Sequence, residues 1–127
     1  MIKSIIFLNG IYDILCSFSI LFTNNLLSNI HPNLFKDKEN QENPIIRRFM
    51  AYWILTYGSI RLFSGYYQNS KELLLLAYYS YLIEILAFEY ELFISNSLYL
   101  YKVKFISIVS IIIIKKINNY FLNIYNM

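Results

Sequence analysis

The sequence predicts an all-α chain, an integral membrane four-helix bundle that forms a single membrane domain over residues 1–127. Three observations carry this expectation. Hydrophobic residues make up 57% of the chain and charged residues only 15%, against roughly 45–50% and about 25% in ordinary soluble domains. The apolar residues gather into four stretches, three of them near the ~20 helical residues that cross a bilayer core of roughly 30 Å. Charged side chains also lie inside those stretches, Arg61 and Glu84 above all. Charge within a spanning segment is costly, so it should face protein or water and have a partner.

The first span is placed at about residues 2–22, with Lys3 at its head and Asp13 near its middle. Asn9 and Asp13 interrupt the apolar run, which suits a retained helix better than a cleaved signal. A polar loop over 23–48 follows, and the stretch from Lys36 to Pro44 is the most polar in the chain. Pro44 stops the next helix from extending backward through it. Arg47 and Arg48 then flank the second span, about 49–67, at the headgroup level.

Gln68–Glu72 is short and polar, a turn between antiparallel helices. The third span covers about 73–93 and carries Glu84, with Glu89 and Glu91 near its end. The fourth, about 99–118, has an uncharged core of only ten residues, Phe105–Ile114. Lys102, Lys104, Lys115 and Lys116 bracket that core and can snorkel outward. Tyr66, Tyr67, Tyr99, Tyr101, Tyr120 and Tyr125 cluster near segment ends, as in an aromatic belt.

Four spans put both termini on one side, together with Lys3, Lys71, Lys115 and Lys116. Lys36, Lys38, Arg47, Arg48, Lys102 and Lys104 fall on the other. The positive-inside rule therefore assigns the long loop to the cytosol.

The interior charges form a seam. With the turn centred between Asn69 and Ser70, Arg48 comes level with Glu91 across the antiparallel pair, an interfacial ion pair in expectation. Arg61 lies six residues before Tyr67, about 9 Å deep at 1.5 Å per residue. Asp13, eight residues after Ile5, lies about 12 Å from the same face. Asp13 is therefore the first candidate partner for Arg61 and Glu84 the second. Gly58 and Gly65 share a helix face and, with Gly10, could allow close approach of helices.

Other chemistry is weakly signalled. The net charge of +3 is scattered and gives no nucleic-acid footprint. The single Cys16 cannot form an intrachain disulfide. His31 has no surrounding set of metal-spaced ligands and reads as an ordinary loop residue. No phosphate-binding loop, nucleophile elbow or zinc motif is present, so neither cofactor nor metal is expected. Residues with A/T-rich codons (Ile, Asn, Tyr, Phe, Lys) dominate, a genome bias found in some large DNA viruses and protozoa.

The stretch Arg48-Phe49-Met50-Ala51-Tyr52-Trp53 through Ile60-Arg61 resembles the second helix of the ergosterol biosynthetic protein 28 family. There an Arg is followed at the same intervals by a Trp and a second Arg. Lys71, Leu73, Phe88 and Glu91-Leu92-Phe93 continue the register without gaps, so the resemblance covers about residues 44–97. Ala51 stands where the family usually has Gly. Leu86-Ala87-Phe88-Glu89-Tyr90-Glu91 replaces a Gly-His-Phe-x-Ser-Glu type run, which removes the family's His and any role it has. The resemblance implies a non-enzymatic protein of the endoplasmic reticulum membrane that holds sterol C-4 demethylation enzymes together. It carries over Arg48, Trp53, Arg61 and Glu91 as the matching residues.

The reading is thus a non-enzymatic multi-pass scaffold in the endoplasmic reticulum or a host internal membrane. Its seam is Asp13, Arg48, Trp53, Arg61, Glu84 and Glu91. Its partners are the lipid bilayer and other membrane proteins, sterol-pathway enzymes among them, and a homo-oligomer is compatible with it. The alternative is a small transporter or channel lined by Asp13, Arg61 and Glu84. A soluble helical protein with one large core is the third reading.

Overall fold

A computed structural model of the chain describes residues 2–67 and 69–125, the last two of these in backbone only. Every regular element among them is helical, and the one β feature is an isolated bridge between Phe35 and Leu98. Helix α1 runs Ile2–Phe22, and two short helices follow, α2 (Leu26–Asn29) and α3 (Lys38–Glu42). A turn of 3₁₀ helix, Pro32–Leu34, lies between those two. The long helices α4 (Pro44–Tyr66), α5 (Lys71–Phe93) and α6 (Leu100–Tyr125) complete the chain.

Local chemistry sets the boundaries. Asn25, Asp37, Asn43 and Ser70 accept hydrogen bonds from backbone N–H groups in the first turns of α2, α3, α4 and α5, as N-caps do. Helix α4 begins at Pro44, earlier than the expected 49. Proline suits the first helical position, where its missing N–H would have no partner anyway. Two differences follow from the same capping. The polar stretch after Lys36 is partly helical rather than a plain loop, and Lys71 and Glu72 already belong to α5. Gln68, the first residue of the expected turn, lies outside the described residues, as does the side chain of Tyr125.

The four long helices run antiparallel to their sequence neighbours among them, and α1 packs most closely on α4. Glycine permits that approach. A Cβ at Gly10 would meet Leu62 N at 2.5 Å and Gly58 O at 2.9 Å, and one at Gly58 would meet Asp13 Cβ at 2.8 Å. A Cβ at Gly65 would strike Phe7 and come within 2.8 Å of Lys3 O. Helices α5 and α6 continue round the bundle, and α6 meets α1 near one end only. There Ile6, Leu74, Ala77, Tyr81, Ile113 and Ile117 form one core. Ile20, Ala51, Ile54 and Tyr57 form another between α1 and α4.

The segment between α1 and α4 is drawn onto the bundle. Lys36 N donates to Ser97 O at 2.8 Å and Tyr99 N to Leu34 O at 3.0 Å. Leu34, Leu98 and Val103 bury one another there. Arg47 Nη2 donates to Ser28 O at 2.9 Å, and Nη1 donates to Gln41 O at 3.1 Å. By length and composition two helices could cross a membrane, α1 and α5.

Candidate functional site

Arg61 sits on the buried face of α4 with 1% of its surface exposed. A guanidinium offers five N–H donors, and four are taken by side chains of the neighbouring helices. Nη1 donates to Asp13 Oδ2 at 2.8 Å and to Asn9 Oδ1 at 3.3 Å, both on α1. Nε donates to Ser80 Oγ at 3.0 Å, and Nη2 donates to Glu84 Oε2, both on α5. The planar faces are covered as well: the guanidinium carbon lies 4.3 Å from the ring centre of Tyr57 and 3.7 Å from that of Tyr81. Cation–π contacts of this kind strengthen when desolvated. Depth along the helices ranks Asp13 ahead of Glu84 as a partner; Arg61 in fact takes both. One guanidinium thereby ties α1, α4 and α5 together.

Helical periodicity brings the supporting residues in. Asn9 precedes Asp13 by one turn, Tyr57 precedes Arg61 by one turn, and Tyr81 lies one turn before Glu84, so each shares a face with its charged neighbour. Sequence reasoning did not pair Asn9, Tyr57 or Tyr81 with Arg61, although the spacing could have found them. With 13 tyrosines in the chain, no single one stands out.

Arg48 and Glu91 lie away from this cluster, and Trp53 touches it only from outside, through the ring of Tyr57. Among the described residues Arg48 and Glu91 form no ion pair, which corrects the expected interfacial contact. Helix α4 follows α1 through the glycine contacts instead of staying beside α5 over its whole length. Its inward arginine at that end is Arg47, and Arg48 is exposed. Glu91 serves its own helix end, where Oε2 accepts from Ser97 Oγ at 2.5 Å and its carbonyl accepts from Ser97 N at 2.8 Å. Trp53 is 41% exposed and meets Tyr57 edge-on.

A cavity of about 550 Å³ opens beside the cluster, between α1 and α6. Asn9, Asp13, Arg61 and Glu84 line it on one side and Phe105, Ile106 and Val109 on the other. Ile30, His31 and Leu34 from the segment after α2 line it as well. His31 is therefore no ordinary loop residue. It is 7% exposed, and its Nδ1 has no hydrogen-bond partner. Burial pushes its pKa down to about 4, with the positive charge of Arg61 adding to the effect. Nothing local in the sequence marks His31 for burial, because the ties that bury it come from the distant Ser97–Tyr99 segment.

Among the described residues no group of three or more His, Cys, Asp or Glu side chains is arranged to hold a metal ion. The arrangement can fix three helices in register and present the remaining carboxylate oxygens to the cavity. Comparison with curated proteins gave no match, and comparison with solved structures gave none either. The family described as Erg28 like protein matches over residues 2–117 of the 127. That span includes α1, α4, α5 and most of α6, with every residue of the charged cluster inside it, and the chain belongs to the Erg28-like family.

Proposed function

We propose that this chain is a non-enzymatic, multi-pass membrane scaffold that holds enzymes of sterol biosynthesis together in the endoplasmic reticulum or another internal membrane. Family membership over nearly the whole chain carries the reading. Physical observations support its membrane part. Only 33% of the span window of α1 and 28% of that of α5 is buried within the chain. A core helix of a soluble protein would be mostly covered. Large apolar side chains are exposed on all four long helices, among them Leu8 at 64%, Phe63 at 50%, Leu86 at 65% and Ile112 at 50%. Large contiguous apolar patches mark interaction or membrane surfaces, and lipid and partner helices would cover these side chains.

In this reading the six seam residues divide into two groups. Asp13, Arg61 and Glu84 fix the bundle, and Glu91 fixes the turn after α5. Arg48 and Trp53, with Phe49 at 67% and Tyr52 at 48% exposure, offer partners an Arg- and aromatic-rich face at the start of α4. Residues of these types dominate binding energy at protein interfaces.

Affinity purification of the tagged chain from gently solubilised membranes, followed by mass spectrometry, tests the proposal. Sterol C-4 demethylation enzymes are expected in the eluate. Trp53→Ala and Arg48→Ala should lower their recovery without lowering the abundance of the chain. A folded, abundant chain recovered alone would overturn the scaffold.

A further inference from the structure

The cleft between α1 and α6 has the form of a binding site. The two helices meet around Ile6, Ile113 and Ile117, where Lys3 Nζ also lies 5.0 Å from the ring centre of Tyr120. Toward their other ends they part, leaving the cavity of about 550 Å³, within the range that small-molecule sites occupy. The α6 wall is largely apolar, with Phe105, Ile106 and Val109 between Lys102 and Ser110, and the charged cluster lies across from it.

The cluster has unmet hydrogen-bonding capacity on the cavity side. Asp13 and Glu84 each use one carboxylate oxygen for Arg61, through Oδ2 and Oε2. Asp13 Oδ1 and Glu84 Oε1 take no hydrogen bond from the described residues. Asn9 uses Oδ1 to accept from both Arg61 and Tyr81, which leaves its amide N–H₂ as a donor. His31, which also lines the cavity, has its Nδ1 buried without a partner. A buried polar atom without a hydrogen bond is a liability, and it adds polar character to the cavity lining.

Hydrogen-bonding capacity selects the guest. Two carboxylates, Asp13 and Glu84, face two cations, Arg61 and Lys102, around the cavity, so the site carries no net formal charge to draw an anionic or a cationic head. An ammonium head could donate to the carboxylates but could accept nothing from Asn9. A hydroxyl does both. We propose that this cleft binds an amphipathic alcohol, with its apolar body along Phe105, Ile106 and Val109 and its single hydroxyl donating to Asp13 or Glu84 while accepting from Asn9. The inference is independent of the scaffold reading, and its assay contains no partner protein, so either can fail alone.

Labelling of the full chain in liposomes with dodecanol carrying a terminal diazirine tests it, with peptide mapping of the adducts. Adducts are expected on α6 around Phe105–Val109 and on the Ile30–Leu34 segment. Unlabelled dodecanol should compete at least about tenfold better than dodecanesulfonate and better than dodecylamine, since sites built for a hydroxyl reject heads that leave their polar groups unmet. Val109→Trp, or the milder Ile106→Phe, should fill the cleft and abolish the labelling while keeping the thermal transition of the native chain. Equal competition by the sulfonate, superior competition by the amine, or adducts spread evenly over exposed positions such as Leu86 would each overturn the proposal. The competitor ranking on the unmodified chain decides the matter even where both variants fail to fold.

Discussion

At the scale of single residues, Arg61 governs the interior. Its removal would strand Asp13 and Glu84 as a pair of buried carboxylates, and breaking a buried ion pair from one side costs about 3–5 kcal/mol. Arg61→Leu is therefore expected to lower the thermal midpoint of the purified chain sharply and to deplete it from membranes. Adding Asp13→Asn and Glu84→Gln to Arg61→Leu should recover much of the loss, because the stranded charges are gone. A single variant as stable as the native chain, measured by thermal unfolding in detergent, would show that the cluster is dispensable. Arg61→Lys should rescue little, since an ammonium cannot reproduce a planar fork that reaches four partners and stacks between two rings. His31 supplies a second prediction. Its pKa falls from 6.5 to about 4 on burial, so the unfolded chain binds a proton in a window where the folded chain does not. The stability it contributes is whole above about pH 6.5 and is lost as pH falls toward about 4. The ring faces Tyr12, 6.4 Å away between ring centres, and shares the cavity with Asp13, Arg61, Glu84 and Lys102. Other groups titrate in the same range, so the comparison with His31→Gln isolates its part. The native chain should lose thermal stability more steeply than the variant between about pH 7 and about pH 4.5, and parallel pH profiles would refute a buried neutral histidine. Both residues also mark how far the sequence could be read. An arginine inside an apolar run must find carboxylates, and depth along a helix narrows the choice to Asp13 and Glu84. The burial of His31 follows from backbone pairing between Lys36 and Ser97, sixty-odd positions apart along the chain, and no local pattern announces such a tie.

At the scale of elements, the α1–α4 pair holds the bundle because three glycines let two backbones touch. Glycine within a helix is about 1 kcal/mol worse than alanine in propensity, so a Gly→Ala change in open space should stabilise. Here the added methyl meets backbone: Leu62 N and Gly58 O at Gly10, and Phe7 and Lys3 O at Gly65. Overpacking of this kind costs typically about 1–3 kcal/mol, which outweighs the gain in propensity. Gly10→Ala and Gly65→Ala should both lower the thermal midpoint, and a neutral or stabilising result at either would mean the helices can slide apart freely. Gly58→Ala presses on Asp13 Cβ at 2.8 Å and should therefore also disturb the Arg61 contact. Three of the four long helices could be read from apolar length, and the fourth only by letting its bracketing lysines snorkel. Their true starts depend on caps at Asn43 and Ser70 that hydrophobic patterning does not weigh. The Arg48–Glu91 pairing failed for a related reason: counting back from a turn assumes two helices stay level, whereas α4 is drawn along α1. The polar stretch from Lys36 onward looked like loop because its charges mask a short capped helix, Lys38–Glu42, with its own Lys38–Glu42 ion pair at 3.9 Å.

At the scale of the whole molecule, the placement of charge decides which of the four long helices can cross a bilayer. Composition admits α1 and α5 and penalises the other two, but the penalties differ in kind. The charge inside α4 belongs to Arg61, which is buried and paired, so to surrounding lipid that helix is more apolar than its composition suggests. The charges of α6 are outward: Lys104, Lys115 and Lys116 are all exposed. Lys104 and Lys115 lie about 16 Å apart along the axis at 1.5 Å per residue, roughly half a hydrocarbon core. Spanning then requires the lysine stems to reach outward at both ends. If they do, both termini share a side and the Lys38–Glu42 helix lies opposite. Cysteine substitutions in sealed vesicles decide this, with little background because Cys16 is fully buried. Ile112→Cys, which is outward-facing and mid-helix, should resist a membrane-impermeant maleimide until the chain is unfolded. Asn118→Cys and Glu39→Cys should react from opposite faces of the membrane. Rapid labelling of Ile112→Cys in intact vesicles, with Leu86→Cys on α5 still protected, would place α6 in water. The chain would then cross three times, with its termini on opposite sides, and the cleft between α1 and α6 would open to solvent instead of lipid.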